Sequence, residues 1–263
     1  MSISPETLFA IAEEAGSEIL RIYGKADLAT VEYKADNSPL TEADRSSHAI
    51  IVESLQRLTP NIPIVSEEDS NRTRPSGPFW LVDPLDGTKE FVKRTGEFTV
   101  NIALIERGIP VSGVVHAPAL STTWLTTSRG AERWHKQERR IIGVTRQVDI
   151  SALRIVASRD HAGAHLQSIL ARLPSAVTLS MGSSLKFCLV AEGLADLYFR
   201  DGPTMPWDTA AAHAVLRAAG GDVYGLNEKP LLYSDPYALN PHFFAVGSSA
   251  VPWTSILLPS IGK

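Results

Sequence analysis

Asp83-Pro84-Leu85-Asp86-Gly87-Thr88 is the stretch that decides how this chain is read. It follows an apolar run, Phe79-Trp80-Leu81-Val82, whose composition predicts a buried strand. Pro84 and Gly87 then force a tight turn. Two carboxylates on such a turn can point into one pocket, and the carbonyl of Leu85 can face the same way. Hard divalent cations take oxygen ligands of this kind. Two acids this close repel each other unless positive charge lies between them. Mg²⁺ meets both conditions, and phosphate chemistry is the usual reason to hold it in this manner.

The rest of the chain narrows the setting. Its 263 residues are enough for one large domain or two lobes in close contact. A hydrophobic content of 44% with 21% charged residues is that of an ordinary soluble globular protein. The net charge of −4 argues against a surface that coats nucleic acid, so an anionic substrate must be met by metal ions or a few local Lys and Arg residues. The single cysteine, Cys188, lies in the apolar stretch Phe187-Cys188-Leu189-Val190, excludes an intrachain disulfide and reads as core packing. Glu6, Glu13, Glu14 and Glu18 rule out a signal peptide at the start, and no apolar run approaches the ~20 residues needed to span a bilayer. The cytoplasm is the expected location, with peripheral attachment to the inner face of the membrane as the alternative. Oligomeric state is left open.

Ser4-Pro5-Glu6 opens a helix with Leu8, Ile11, Ala12, Ala15, Ile19 and Ile22 at helical spacing. Thr41-x-x-Asp44 opens a second in the manner of a capping box, with Ile51, Val52, Leu55 and Leu58 expected inward. Ile62 to Val65 reads as a short strand before Ser66-Glu67-Glu68-Asp69, and Phe98 to Glu106 and Val111 to Ala117 as two strands joined through Arg107-Gly108. The segment from Gly130 to Val144 gives no clear reading. Strands near 153–157, 177–179, 195–199 and 243–246 alternate with helices near 164–172, 184–192 and 208–219, which predicts a partly parallel sheet with helices packed on it. The expected organisation is therefore α/β: an α+β lobe over 1–150, an α/β lobe over 151–263, and ligands in the cleft between them.

Three distant segments supply acids of similar character: Glu67-Glu68, the Asp83/Asp86 pair, and Asp208 after Trp207. Each also has a plainer reading. Asp208 could cap the helix that follows, Glu67-Glu68-Asp69 could be a solvated loop, Asp44 could serve only its capping box, and the Asp83 motif could be an Asx turn.

The motifs resemble those of a known family. Asp83 to Thr88 with Phe91 is similar to the first signature of the inositol-monophosphatase superfamily of metal-dependent, lithium-sensitive phosphatases. Trp207-Asp208-x-Ala210-Ala211, with Gly220-Gly221 beyond it, is similar to the second, and Ser66-Glu67-Glu68 to the acidic element upstream. Within the superfamily, Gly87 to Phe91, Gly96 to Asn101 and Gly182 to Gly193 resemble the CysQ-type 3′(2′),5′-bisphosphate nucleotidases. The resemblance implies a layered α-β-α-β-α sandwich of the inositol-monophosphatase/fructose-bisphosphatase type. It also implies hydrolysis of adenosine 3′,5′-bisphosphate to AMP and phosphate, with PAPS as a second target.

The roles it implies are specific. Glu67, Asp83 and the Leu85 carbonyl would hold one Mg²⁺, and Asp83, Asp86 and Asp208 a second, within a site of two or three ions inhibited by Li⁺. Thr88 and Asp44 would orient the attacking water, with Glu67 as a further base, and the Gly87 and Thr88 amides would hold the target phosphate. Ser183, Ser184 and Lys186 are expected at the 5′-phosphate or ribose, with Lys34 and Ser158 to His161 as further candidates. The partner is a small nucleotide, with no nucleic acid and no integral membrane segment. The polar run Ala131 to His135 departs from the small-residue hairpin expected there, and His135, Lys136, Arg139 and Arg140 read as a solvated hairpin or a basic patch. Two other functions compete: an inositol-phosphate or sugar-phosphate phosphatase of the same superfamily, and a sensor that binds a nucleotide without cleaving it.

Overall fold

The computed structural model describes residues 3–25, 32–33, 39–70, 72–157 and 164–258; Lys34 and the segment from Ser158 to His161 lie outside them. Helix α1 (Pro5–Tyr23) starts at Ser4, whose hydroxyl accepts the Thr7 amide. A short pair, β1 (Glu32–Tyr33) and β2 (Pro39–Leu40), leads to α2 (Glu42–Leu58), which opens on the expected Thr41/Asp44 capping box. Next come β3 (Ile64–Ser66), β4 (Phe79–Asp86), α3 (Thr88–Val92), β5 (Thr99–Glu106), β6 (Ile109–Ala117), β7 (Thr122–Thr127), β8 (Gly130–His135) and β9 (Glu138–Ile142). The second half contains β10 (Arg154–Ala157), α4 (Ala164–Arg172), β11 (Val177–Ser180), α5 (Leu185–Ala191), β12 (Leu197–Arg200), α6 (Ala210–Ala218), β13 (Asp222–Gly225), β14 (Phe243–Val246) and α7 (Trp253–Leu257).

Strands β3 to β9 form one seven-stranded sheet in chain order, antiparallel except for the β3–β4 pair. The other main sheet runs β11-β10-β12-β14-β13, parallel across β11-β10-β12 and antiparallel beyond. Their central strands are buried on two faces, and the alternation of side chains along β4 and β14 shows it. Trp80 and Val82 of β4 pack under α1 and α2, while Phe79 and Leu81 join the core that contains α5 and α6. Along β14, Phe243 and Ala245 face that same central core, and Phe244 and Val246 face the outer layer of α4 and α7. The result is a five-layer α-β-α-β-α sandwich. The division expected near residue 150 falls between the two sheets, but the α5–α6 layer is shared by both.

One sequence expectation needs correction, and some elements have no clear signal in the sequence. Leu58 is exposed, because α2 runs past the sheet in its last turn; the buried stripe is Ala43, Ser47, Ile51, Ser54 and Leu55. The segment after Gly130 is a regular hairpin, and the strands β7 and β13 were not anticipated. The hairpin is polar because Glu132, though buried, accepts from the Trp134 indole, the Thr127 hydroxyl and Arg129. Three of its basic residues are engaged: Arg139 stacks on the Trp134 ring at 3.8 Å, Arg140 pairs with Glu192, and the His135 Nδ1 lies 2.8 Å from the Thr122 hydroxyl.

Helix α6 lies close on β6 because small residues face each other. A Cβ at Gly113 would lie 2.6 Å from the Ala211 carbonyl oxygen and 2.8 Å from the Ala214 Cβ. Neither neighbour is a flexible side-chain end, so the helix itself must move. Gly113→Ala should therefore lower stability by about 1–3 kcal/mol in urea unfolding monitored by circular dichroism; a neutral effect would show that the layers have slack.

Candidate active site

Asp83 and Asp86 are an odd number of positions apart, and a regular strand would send them to opposite faces. A bulge prevents this. Asp83 pairs with Asn101 and Asp86 with Thr99, so β4 carries one residue more than β5 between the two pairs. Both carboxylates then line one cavity of about 430 Å³. The Leu85 amide donates to Asp83 Oδ1 at 3.0 Å, and Ser47 donates to the Pro84 carbonyl at 2.7 Å, which ties the turn to α2. Gly87 has φ +92°, a left-handed conformation that suits glycine, and from there the chain enters α3.

The parallel β3–β4 pair brings in Glu67, whose amide donates to the Val82 carbonyl at 3.1 Å. Asp208 ends a 3-10 turn, Pro206–Asp208, and its Oδ2 accepts the Met205 amide at 2.8 Å. It is thus no cap on α6; Thr209 occupies that position. Glu67, Asp83, the Leu85 residue, Asp86, Gly87, Thr88 and Asp208 all line the cavity, with Lys89, Glu90, Pro203, Thr204, Met205, Trp207 and Leu239 completing its wall. Asp44 stands behind it. Its Oδ2 accepts the amide and hydroxyl of Thr41 at 2.7 and 2.6 Å, and its Oδ1 lies 3.2 Å from the Thr88 hydroxyl. The Thr88 proton can go to Asp44 or to the Leu85 carbonyl, also at 3.2 Å.

Charge dominates this cavity. Burial, then the charges of Glu67, Asp86 and Asp208, push the Asp83 carboxyl well above the usual range. Burial with Asp86 and Glu67 does the same to Asp208. Burial raises Asp86 to about 6 against the opposing pull of Lys186 and the Ser184 amide, and raises Asp44 to about 6 despite its bonds to Thr41. Among the described residues no three acidic, imidazole or thiol groups are already closed on one point. The carboxylates instead stand around the cavity, with far more acid than base along its wall. A phosphate dianion cannot enter such a place without added positive charge, and the donor set of carboxylates and one carbonyl is that of a hard divalent cation.

Ser183, Ser184 and Lys186 do not line the cavity. The expected loop-to-helix anion site is covered: Ser184 and Lys186 are buried, and α5 is short. Ser184 donates its amide to Asp86 Oδ2 at 2.6 Å and its hydroxyl to Asn101 at 2.9 Å. The Lys186 ammonium donates to the Ser183 carbonyl at 2.5 Å and lies 5.5 Å over the Tyr198 ring. Burial lowers its pKa to about 8, while Asp86 pulls the other way. These residues act on Asp86 from beneath. Thr99 and Asn101, both within hydrogen-bonding reach of Asp86 Oδ2, went unassigned in the sequence; their only signal is polarity at consecutive inward positions of an otherwise apolar strand.

This fold and acid-lined cleft define a metal-dependent phosphatase, and the chain belongs to the inositol monophosphatase family, whose sequence model matches residues 5–250. Dependence on Mg²⁺ and inhibition by Li⁺ are general in that family. The chain is 47% identical over 245 residues to the 3′(2′),5′-bisphosphate nucleotidase CysQ of Escherichia coli O157:H7, covering 89% of this chain and 95% of that one. The crystal structure of CysQ from Bacteroides thetaiotaomicron superposes with a TM-score of 0.80 at 38% identity, over 92% of this chain and 96% of the other. The SuhB protein of Bartonella henselae, at 24% identity and a TM-score of 0.80 over 97% and 98% of the two chains, shares the fold.

Asp44 and Asp86 hold protons more tightly when folded than a free carboxyl does. Their contribution to stability is full below about pH 4 and is lost as pH rises through about 6, because the folded state then binds more protons than the unfolded one. In chelator, the melting temperature should be higher at about pH 5 than at about pH 7.5, with Mg²⁺ restoring it at the higher pH. Asp86→Asn should flatten that slope and raise the metal-free melting temperature at neutral pH, while cutting turnover at least ~100-fold. A metal-free Asp86→Asn protein that melts much lower than the parent would contradict the charge argument.

Proposed function

We propose that this chain removes the 3′-phosphate of adenosine 3′,5′-bisphosphate, giving AMP and phosphate, and that it acts on PAPS at the same position. One observation carries the chemistry: carboxylates from three separate segments, Glu67, Asp83 with Asp86, and Asp208, line a single cavity beside the Thr88–Asp44 pair. The nucleotide as substrate rests on the likeness to the CysQ proteins, named as 3′(2′),5′-bisphosphate nucleotidases, over most of the chain. With it goes a cytoplasmic enzyme working on a free small molecule; among the described residues no helix is long and apolar enough to cross a membrane.

Glu67, Asp83, the Leu85 carbonyl, Asp86 and Asp208 would hold two or three Mg²⁺. When bound, Mg²⁺ supplies Lewis acidity at the phosphate and a water acidic enough to attack it. The protein's own part is positioning and proton handling. Thr41 occupies one oxygen of Asp44 and leaves the other for the Thr88 hydroxyl. With its proton committed to Asp44, the Thr88 oxygen can accept a hydrogen bond from water and aim it at phosphorus. Asp44, raised to about 6, is a base of suitable strength for the proton released, and Glu67, on the cavity wall, is the second candidate to take it. The amides of Gly87 and Thr88, at the first turn of α3, receive the phosphate oxygens. The rest of the nucleotide runs along Pro203, Thr204 and Leu239, the last a largely exposed leucine on the cavity wall. Ser184 supports the same site by holding Asp86 through its amide, Lys186 does so by its charge, and Ser183 packs beside Gly87.

Phosphate release from a small panel of esters tests this reading. Adenosine 3′,5′-bisphosphate should be hydrolysed with the highest kcat/KM, only in the presence of Mg²⁺, and Li⁺ at roughly millimolar concentration should inhibit. Faster turnover of inositol 1-phosphate would transfer the assignment to the inositol-phosphate branch, and tight nucleotide binding without phosphate release would make the protein a sensor. Thr88→Ala should lose about 10²- to 10⁴-fold in kcat, with Thr88→Ser retaining most of it; equal loss in both would remove the hydroxyl from the mechanism.

A further inference from the structure

A line of buried polar groups runs from the edge of the second sheet to the loop that carries Asp208. At one end, His213 Nε2 lies 2.7 Å from Asp222 Oδ1. The other ring nitrogen lies 3.0 Å from the Tyr233 hydroxyl, which is 3.2 Å from the Thr209 hydroxyl. Thr209 reaches the Pro206 carbonyl at 3.2 Å and accepts from Asn240 Nδ2 at 3.1 Å. The same Asn240 nitrogen reaches the Met205 carbonyl at 2.8 Å and the Thr204 hydroxyl at 3.1 Å, while the Asn240 amide donates to the Thr204 carbonyl at 2.9 Å. Met205 in turn donates its amide to Asp208.

The protons can be assigned without a conflict. Burial pushes the His213 imidazole down, so it is neutral at neutral pH. Its Nε2–H then donates to Asp222, and Nδ1 accepts from Tyr233. The Tyr233 proton is shared between His213 Nδ1 and the Thr209 oxygen, and Thr209 donates its own proton to the Pro206 carbonyl. His213, Tyr233 and Thr209 are at most 1% exposed, so each bond is made in a dry interior where an unmet partner is costly. Apolar side chains could fill this volume between α6 and β13 without that risk. What a polar line adds is direction, and it ends on the three-residue turn Pro206–Asp208 and on two residues of the cleft wall, Thr204 and Met205.

We propose that His213, Tyr233, Thr209 and Asn240 are positioning residues that fix the Asp208 carboxylate and the Thr204–Met205 wall, and that they thereby set the affinity for Mg²⁺. The inference rests on the reading of Asp208 as a metal ligand. Isothermal titration of metal-stripped protein with Mg²⁺ alone tests both, using Asp208→Asn, Tyr233→Phe, Thr209→Val and Thr209→Ser. Tyr233→Phe and Thr209→Val should each weaken Mg²⁺ binding about 10-fold, at the low end of what outer-shell partners contribute, while Thr209→Ser binds as the parent does. Combining Tyr233→Phe with Thr209→Val should cost no more than either alone, because one line is cut either way. Parent-like affinity in both single variants, even with a lowered melting temperature, would overturn the relay and leave a merely structural network. Unchanged affinity in Asp208→Asn would instead overturn the ligand assignment itself. Should Tyr233→Phe fail to fold, the contrast between Thr209→Val and Thr209→Ser decides alone.

Discussion

Mutual repulsion among carboxylates is the constraint on which this molecule depends. Asp83, Asp86 and Asp208 are pushed toward their protonated forms by burial, and Asp83 and Asp208 also by the carboxylates around them, Glu67 included. A chain left to itself would separate them. Here each is pinned by a bond to backbone or by its place in a sheet: Asp83 by the Leu85 amide, Asp86 by the Ser184 amide, Asp208 by the Met205 amide, and Glu67 by the pairing of β3 with β4. The electrostatic cost is carried by the rest of the fold, and cations in the cavity would relieve it. Affinity for metal and tension in the empty protein are two expressions of the same charge.

The layered architecture explains how that cost is borne. The cavity is lined by residues from both halves of the chain, and the helices between the two sheets belong to both. Helix α5 starts at Ser184, which holds Asp86, and α6 starts at Thr209, next to Asp208. The second half of the chain therefore brings two helix starts to an acidic cluster supplied largely by the first half. The close approach of Gly113 to Ala211 and Ala214 seats α6 directly on β6 of the first sheet. Lys186, buried under Asp86 and over the Tyr198 ring, adds the one fully interior positive charge near the cluster among the described residues. The His213–Tyr233–Thr209 line extends the same logic, carrying rigidity from the second sheet to a turn too short to be rigid alone.

Legibility varied with the range of the interaction. The Asp83–Thr88 turn, the capping box at Thr41 and the strands on either side of Arg107-Gly108 are local, and adjacent residues reveal them. The strand pairing of β7 with β8, the buried glutamate that makes a polar hairpin stable, and the exposure of Leu58 depend on what lies opposite, which no local pattern records. Ser184 and Lys186 illustrate the difference most clearly. As a sequence they read as an open anion site at a helix start; in the fold they are covered, and their donors are spent on Asp86 and on backbone.

Residue order alone thus determined the kind of chemistry: acids on tight turns, a threonine next to them, and a hydrophobic pattern alternating with period two and then near four. Those features follow from covalent geometry and side-chain type, which are properties of neighbours in the chain. Tertiary structure decided which acids meet, which stand in the cavity and which behind it, and which polar groups serve a carboxylate and not a ligand. A bulge of one residue and a few hydrogen bonds across nearly a hundred positions made those choices, because charge and burial act through space and are indifferent to distance along the chain.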